Sequence, residues 1–465
     1  MPQAVLSKID AAQEESLENL FTLVKFQSVA TDPAYHAECV ACAQWLKAYL
    51  EGFGGVTHLH ETTGQPVLIA TWNAPGKDVP HVLFYGHYDV QPVDPLNLWV
   101  SPPFEPRIGE NARGTKAVFG RGSADDKGQL LTFLEAVRAW MSVHGELPFR
   151  LTVLLEGDEE GNSEVLDAFL RAQGAKLKAD IAMICDTEMW DARTPAITTS
   201  LRGCISEDVV VTGPRLDLHS GYFGGPARNP LKALAAMIAK LHDARGRVTV
   251  PGFYDGVKPV SKARRAAWAA LKLSEKKLFG GTGLKASAGE QPFSLPEQLW
   301  ARPTLEVNGF WGGYMGVGSK TVLPAKAHAK FSMRLVEGQN PKKVRAAFRA
   351  FMKAQLPPDC TISFRAHAGN STGIAVAEDN PWLSLAAGAL REEWGVKTAM
   401  IGSGVSIPVV ESFRRHQKME SLLIGFAHSD DAAHSPNEKY DLESFQRGAR
   451  SWARLFGRIQ RGPER

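Results

Sequence analysis

The chain is poor in cysteine, with five in 465 residues, and no charge dominates it, since 53 Lys and Arg against 50 Asp and Glu leave a formal net charge of +3. So few cysteines over such a length exclude a disulfide-stapled scaffold, and reduced thiols are expected. The small, dispersed charge gives no electrostatic footprint for nucleic acid or a membrane surface. No apolar run approaches the roughly 18 residues of a membrane span. The N-terminus sets Lys8, Asp10, Glu14, Glu15 and Glu18 among apolar residues at helical spacing, without the continuous apolar stretch of a signal peptide, so a cytoplasmic location is expected. No internal repeat or low-complexity tract stands out. Cys39 and Cys42 form a lone C-x-x-C within the helical pattern of residues 36–50. A structural zinc takes about four ligands and no second Cys pair exists, so helix packing is the reading, with a redox role left open.

What is present is a folded composition, 44% hydrophobic and 22% charged, long enough for two domains with separate cores. Val82-Leu83-Phe84-Tyr85, Leu151 to Leu155 and Ile181 to Cys185 are short, nearly continuous apolar runs, as in strands covered on both faces. They alternate with helical patterns over residues 130–143 and 163–173, which predicts an α/β sheet with helices on both sides. From about Cys204 to about Gly373 the pattern changes. A strand at 206–212 precedes a helix started by Asn229-Pro230 and carried by 231–241, and a Lys- and Ala-rich helix is expected over 261–277, broken by Gly280 to Gly283. Strands near 304–307 and 327–335 lead to a helix over 341–356. Helical and strand signals of the first kind return after Asn380 and end in a helix over 442–459. The expected architecture is thus α/β, with a discontinuous catalytic domain of residues 1–203 and 374–465 built on a mixed sheet, and an inserted α+β lid or dimerisation domain of residues 204–373.

Four polar clusters sit where apolar runs end: Gly86-His87-Tyr88-Asp89, Ser123 to Gly128, Gly157 to Gly161 and Ala433 to Glu438. In open α/β sheets ligands bind beyond the carboxyl ends of strands. Residues two apart on a strand face the same way, so Asp89 can orient the His87 ring, although His-x-Asp alone equally describes a strand-end histidine satisfied by its neighbour. Asp125 and Asp126 stand at a strand-to-helix turn, where either can cap the helix and Asp125 can bridge paired metals. Glu159 and Glu160 are adjacent carboxylates that repel unless cations or protons separate them; one can bind metal while the other, uncoordinated, takes a proton from water. A solvated acidic turn is the plainer alternative. Asp186 and His434 are further candidate ligands at strand ends, whereas His428, His58 and His60 read as surface or structural. Gly313 to Lys320 approximates a phosphate loop, but Ser319 follows Gly318 where that motif needs Lys, so no nucleotide site is read there.

Together, Gly86-His87-Tyr88-Asp89-Val90-Gln91-Pro92, Gly120 to Gly128, Glu156 to Glu160 and Ala433 to Glu438 resemble the co-catalytic zinc metallopeptidases, the family of carnosine dipeptidase, aminoacylase, carboxypeptidase G and succinyl-diaminopimelate desuccinylase. Asp217 to Gly221, Arg302-Pro303-Thr304, Gly318 to Pro324, Met333-Arg334-Leu335 and Gly404 to Pro408 are similar to its carnosine-dipeptidase branch. The resemblance implies two divalent ions per subunit, zinc or alternatively manganese: His87 and Asp186 on one, Glu160 and His434 on the other, Asp125 bridging. It implies Glu159 as general base acting on the water between the ions, Asp89 behind His87, and a cis peptide between Asp125 and Asp126. It also implies a homodimer in which His219 completes the neighbouring site and Arg334 grips a substrate carboxylate, with Thr321 and Ser406 as substrate contacts that equally read as loop hydroxyls. Gln129, and Asp158 beside the catalytic Glu, depart from the pattern of many relatives without removing a ligand.

The expected activity is hydrolysis of dipeptides with a free C-terminal carboxylate. The alternatives are an N-acyl amino acid deacylase or carboxypeptidase of the same family, and, remotely, a metal-binding interaction protein without catalysis, against which the uncoordinated Glu159 argues. Lys262, Arg264, Arg265, Lys276 and Lys277 fit a solvated helical face better than a nucleic-acid surface.

Overall fold

The computed structural model describes residues 2–76, 78–161, 163–280, 282–367 and 370–460, so Gly281 of the expected glycine break lies outside it. The chain forms two compact units, one of Met1–Thr199, Val376–Ile401 and Val409–Arg465, the other of Ser200–Ala375 and Gly402–Pro408. Among the described residues no helix is long and apolar enough to cross a membrane.

The first unit is built on a mixed sheet. Its central strands run parallel: Arg150–Glu156 beside His81–His87, then Ile181–Ile184 and Ser421–Leu423. Val56–His60 and Val67–Trp72 extend it antiparallel on one side, and Ala196–Leu201 meets Ser421–Leu423 antiparallel on the other. Alternate side chains explain the continuous apolar runs, because both faces are covered. Phe84 stacks on Phe133 of the Lys127–His144 helix at 3.8 Å and meets Trp452 of the Leu442–Ile459 helix edge-on. Tyr85 points the opposite way, edge-on to Phe413 at 6.1 Å. The Lys127–His144 helix ends at Gly145, whose φ of 75° makes a left-handed cap. Cys39 and Cys42 lie one turn apart on the His36–Glu51 helix, both buried, and burial pushes their thiols up to about 12 and about 11. They pack the core, and nothing about them favours thiolate chemistry.

The second unit carries a four-stranded antiparallel sheet in the order Thr304–Gly312, Lys326–Leu335, Gly203–Thr212, Thr361–Ala366. Burial alternates along Gly203–Thr212, as expected with one face covered. Val209, Val211, Phe331 and Met333 pack there with Leu234 and Phe348 of helices Pro230–Ile238 and Pro341–Ala354. Both helices begin at the prolines expected, and Asn229 and Asn340 cap them by accepting N–H bonds from Leu231 and Lys343. The single helix expected over 261–277 is instead two, Lys262–Ala270 and Glu275–Phe279, because the chain turns at Lys272 with φ 50° and Ser274 caps a new start. Residues 402–408, placed by the sequence pattern with the first domain, cluster with this unit: Arg202 N–H donates to Val405 O and Arg202 Nε to Gly404 O, each at 3.2 Å.

Candidate metal centre

The parallel strands deliver the first unit's polar residues to one edge. His87 is the last residue of its strand and is paired in register with Glu156, three and four residues before Glu159 and Glu160, while Asp186 lies two beyond Ile184. Two glycines permit this crowding. A Cβ on Gly157 would stand 2.4 Å from the Tyr88 ring, and one on Gly128 would stand 2.0 Å from Ser123 O.

Asp125 is central. Its Oδ1 lies 3.1 Å from His87 Nε2 and its Oδ2 lies 3.0 Å from His434 Nε2, which is also 3.1 Å from Glu160 Oε1. His87, Asp125 and Asp186 form one donor set and Asp125, Glu160 and His434 a second, each with one ligand atom per residue within 4.8 Å of the others. The Asp125–Asp126 peptide is cis. Asp89 lies behind: its Oδ1 is 3.4 Å from His87 Nδ1, and its two oxygens accept the N–H groups of Glu159 and Glu160 at 3.2 and 3.0 Å. One buried carboxylate thus orients an imidazole and holds the acidic turn. Glu159 belongs to neither donor set, and its side chain accepts no hydrogen bond and forms no ion pair among the described residues.

The electrostatics favour cations. Burial, with the Glu160, Asp89 and Asp125 carboxylates against the opposing pull of His87, pushes Glu159 up to about 7. Burial and Asp125 hold Asp186 well above the ordinary carboxylate range. His434 is pushed up to about 10 by Asp125 and Glu160, while Asp125, despite its burial, is held low by the two imidazoles. Glu160 Oε1 is buried, with the His434 ring 3.1 Å away. Excess negative charge and convergent N and O donors fit a pair of divalent ions.

Some residues here carried no reading in the sequence. Glu438 is buried and accepts from four donors: Oε1 from the N–H groups of Ala124 and Asp125 at 2.8 and 3.0 Å, Oε2 from Gly122 N–H at 2.9 Å and Arg121 Nη1 at 2.7 Å. It moulds the loop that presents Asp125, and a glutamate aimed at backbone leaves no spacing to read. Gln91 Nε2 donates to Glu160 Oε2 at 2.6 Å. Asp126 precedes the helix without capping it, and its Oδ2 accepts His87 N–H at 3.3 Å. The two departures from the family pattern have structural work: Gln129 Oε1 accepts the N–H groups of Phe426 and Ala427, and Asp158 accepts Gln65 N–H.

The candidates of the second unit form two groups. His219 is exposed, paired with Val322 across a two-residue ladder, and Ser220 N–H donates to Thr321 O at 2.9 Å, so His219 and Thr321 are neighbours. Arg334 lies opposite Cys204, and burial, together with the Arg334 charge, pulls Arg202 down to about 10. Arg202 in turn holds Gly404, two residues from Ser406. Two guanidiniums near a hydroxyl-bearing loop suit an anion.

The family described as Peptidase family M20/M25/M40 matches residues 83–458. The chain is 30% identical to the Cys-Gly metallodipeptidase DUG1 of Candida albicans, over 97% of this chain and 95% of that protein. It is 28% identical to the Beta-Ala-His dipeptidase of Homo sapiens, over 98% and 93%. A solved structure of the M20 family metallo-carboxypeptidase Sso-CP2 from Sulfolobus solfataricus superposes with a TM-score of 0.83 at 27% identity, covering 96% of this chain and 99% of that one.

Proposed function

We propose that this chain, which belongs to peptidase family M20/M25/M40, is a metal-dependent dipeptidase that cleaves the amide bond of dipeptides with a free C-terminal carboxylate. The observation that carries the reading is the unpaired Glu159 carboxylate beside two donor sets that share Asp125. We assign His87, Asp186 and Asp125 to one ion and Glu160, His434 and Asp125 to the other, with zinc as the resident metal and manganese as the alternative. When bound, the ions would supply Lewis acidity toward the carbonyl and lower the pKa of water. Glu159 takes the proton from the attacking water and passes it to the leaving amine. Asp89 keeps the His87 ring in place. In the second unit Arg334 binds the substrate carboxylate, helped by Ser406, while His219, with Thr321 beside it, meets the developing oxyanion in the site of a partner subunit. A homodimer is supported by the exposed apolar Val307 and Phe310 on the edge strand Thr304–Gly312. The five free cysteines support a reducing, cytoplasmic location, which cell fractionation tests.

The expected outcome for Glu159→Ala is retention of both metals with turnover lower by on the order of 100- to 10,000-fold; wild-type turnover in that variant would remove the mechanism. Mixing inactive His219→Ala with inactive Glu159→Ala subunits restores activity if His219 serves a partner's site, and no recovery in demonstrated mixed dimers refutes that role. The likeness to a metallo-carboxypeptidase keeps a second reading open, cleavage of longer chains. Rates on a dipeptide, its N-acetylated form and a tripeptide separate dipeptidase, deacylase and carboxypeptidase.

A further inference from the structure

The loop that presents His434 holds three of the four non-glycine residues with positive φ among the described residues of the first unit. Ala432, His434 and Asn437 have φ of 59°, 59° and 66°, in the region that L side chains avoid. Such a conformation persists only when its surroundings over-determine it. At the tip, Asn437 donates to Leu98 O at 2.9 Å and accepts Val100 N–H at 2.8 Å. At the neck, Asp431 and Lys439 meet twice. Lys439 N–H donates to Asp431 O at 2.9 Å, and Lys439 Nζ reaches the Asp431 carboxylate, with side-chain exposures of only 6% and 1%. The other Asp431 oxygen accepts His428 N–H at 2.7 Å. Lys439 Nζ also stands 3.3 Å from Asp441 and 3.6 Å from Asp430, both of which Arg113 contacts as well.

A buried ion pair is a poor source of net stability, because desolvation offsets much of the attraction. Its value lies in specifying geometry. We propose that Asp431 and Lys439 are a positioning pair that clamps the neck of this loop and aims His434 Nε2 at Asp125 and Glu160, and so governs the second donor set alone. The pair touches none of the ligands. The first set, on His87, Asp125 and Asp186, has other supports: Asp89, which also accepts the Glu160 N–H, and Glu438. The inference rests on the dinuclear reading above.

The test is a calorimetric zinc titration of the chelator-stripped full chain, comparing wild type, Lys439→Arg and the double variant Asp431→Asn with Lys439→Met. The double variant removes both charges and keeps the acceptor for His428. It is expected to melt near wild type and bind one ion normally, with the second weakened on the order of 10- to 100-fold. Lys439→Arg, which keeps the charge, is expected to retain both. Wild-type affinity for both ions in the double variant overturns the proposal, as does equal weakening of both, which would make the pair merely structural. Should the double variant be too unstable to titrate, Asp431→Asn alone answers the same question. A wild-type chain that binds fewer than two ions overturns the dinuclear reading and this proposal with it, whereas a defect confined to the variants bears on the pair alone.

Discussion

Glu438→Gln is the sharpest probe of how the centre is built, because it changes one buried atom and no ligand. Burial pushes Glu438 above the ordinary carboxylate range, yet its two oxygens face four N–H donors and no acceptor. A carboxyl proton would point at another donor, so the ionised form is the one the pocket accommodates. In glutamine one oxygen becomes NH2. If the amide faces Ala124 and Asp125, two backbone donors lose their acceptor; if it faces Gly122 and Arg121, a backbone donor and a buried guanidinium do. At about 1–3 kcal/mol for each buried group left unpaired, the loss is about 2–6 kcal/mol. The Asp125 backbone is among the groups released in the first orientation, and the loop that carries it loosens in both. Zinc affinity is therefore expected to fall on the order of 10- to 100-fold, as for other residues that orient ligands. Urea unfolding and zinc titration on the same preparation give both quantities. A Glu438→Gln protein with unchanged denaturation midpoint and unchanged zinc affinity would refute the argument, and would mean that Glu438 is already a neutral acid in the native protein.

Three further outcomes follow from the same structure. Stripped of metal, the protein should lose stability as pH rises: Glu159, raised from 4.5 to about 7, and His434, raised from 6.5 to about 10, keep protons in the fold that the unfolded chain has released, and Asp125 acts in the opposite sense only near and below its ordinary 3.8. Melting temperatures between about pH 5 and pH 9 should decline without zinc and flatten with saturating zinc; a flat metal-free profile would contradict the assignment. Gln129→Leu should destabilise by about 2 kcal/mol or more by orphaning the N–H groups of Phe426 and Ala427, with turnover per folded molecule retained, which thermal melts and active-fraction assays check. Asp89→Asn should weaken zinc binding on the order of 10- to 100-fold, since a carboxamide cannot both face His87 Nδ1 and accept the Glu159 and Glu160 N–H groups; unaltered affinity would remove Asp89 from the support of the centre.

The α/β class, the strand-end placement of His87, Glu159, Glu160 and Asp186, and the starts of helices at Asn229 and Pro341 were legible because each rests on a local rule: apolar runs, strand periodicity, proline in the first turn of a helix. Glu438 and Gln91 were not, because their partners lie far away in sequence, and the Asp431–Lys439 neck was not, because an acid and a base eight residues apart in a loop follow no helix or strand spacing. The 261–277 helix misled for a related reason. Its Ala and Lys content favours helix throughout, but Lys272 turns left-handed and Ser274 offers a cap, and composition does not reveal which wins. Residues 402–408 follow the second unit through the backbone N–H and the side chain of Arg202, and no local pattern announces it.

The order of the donors along the chain has a consequence for biosynthesis. His87, Asp125 and Asp186 all precede the inserted unit, whereas His434 follows it. A chain emerging from the ribosome therefore exposes one whole donor set, and two of the three members of the other, before the insertion is made. The final imidazole arrives only with the last segment, whose Leu442–Ile459 helix also completes the packing against Phe84 and Phe133. Completion of the second site and closure of the core thus fall to the same late stretch of chain, so a truncated product lacking it carries the acidic cluster without the means to balance it.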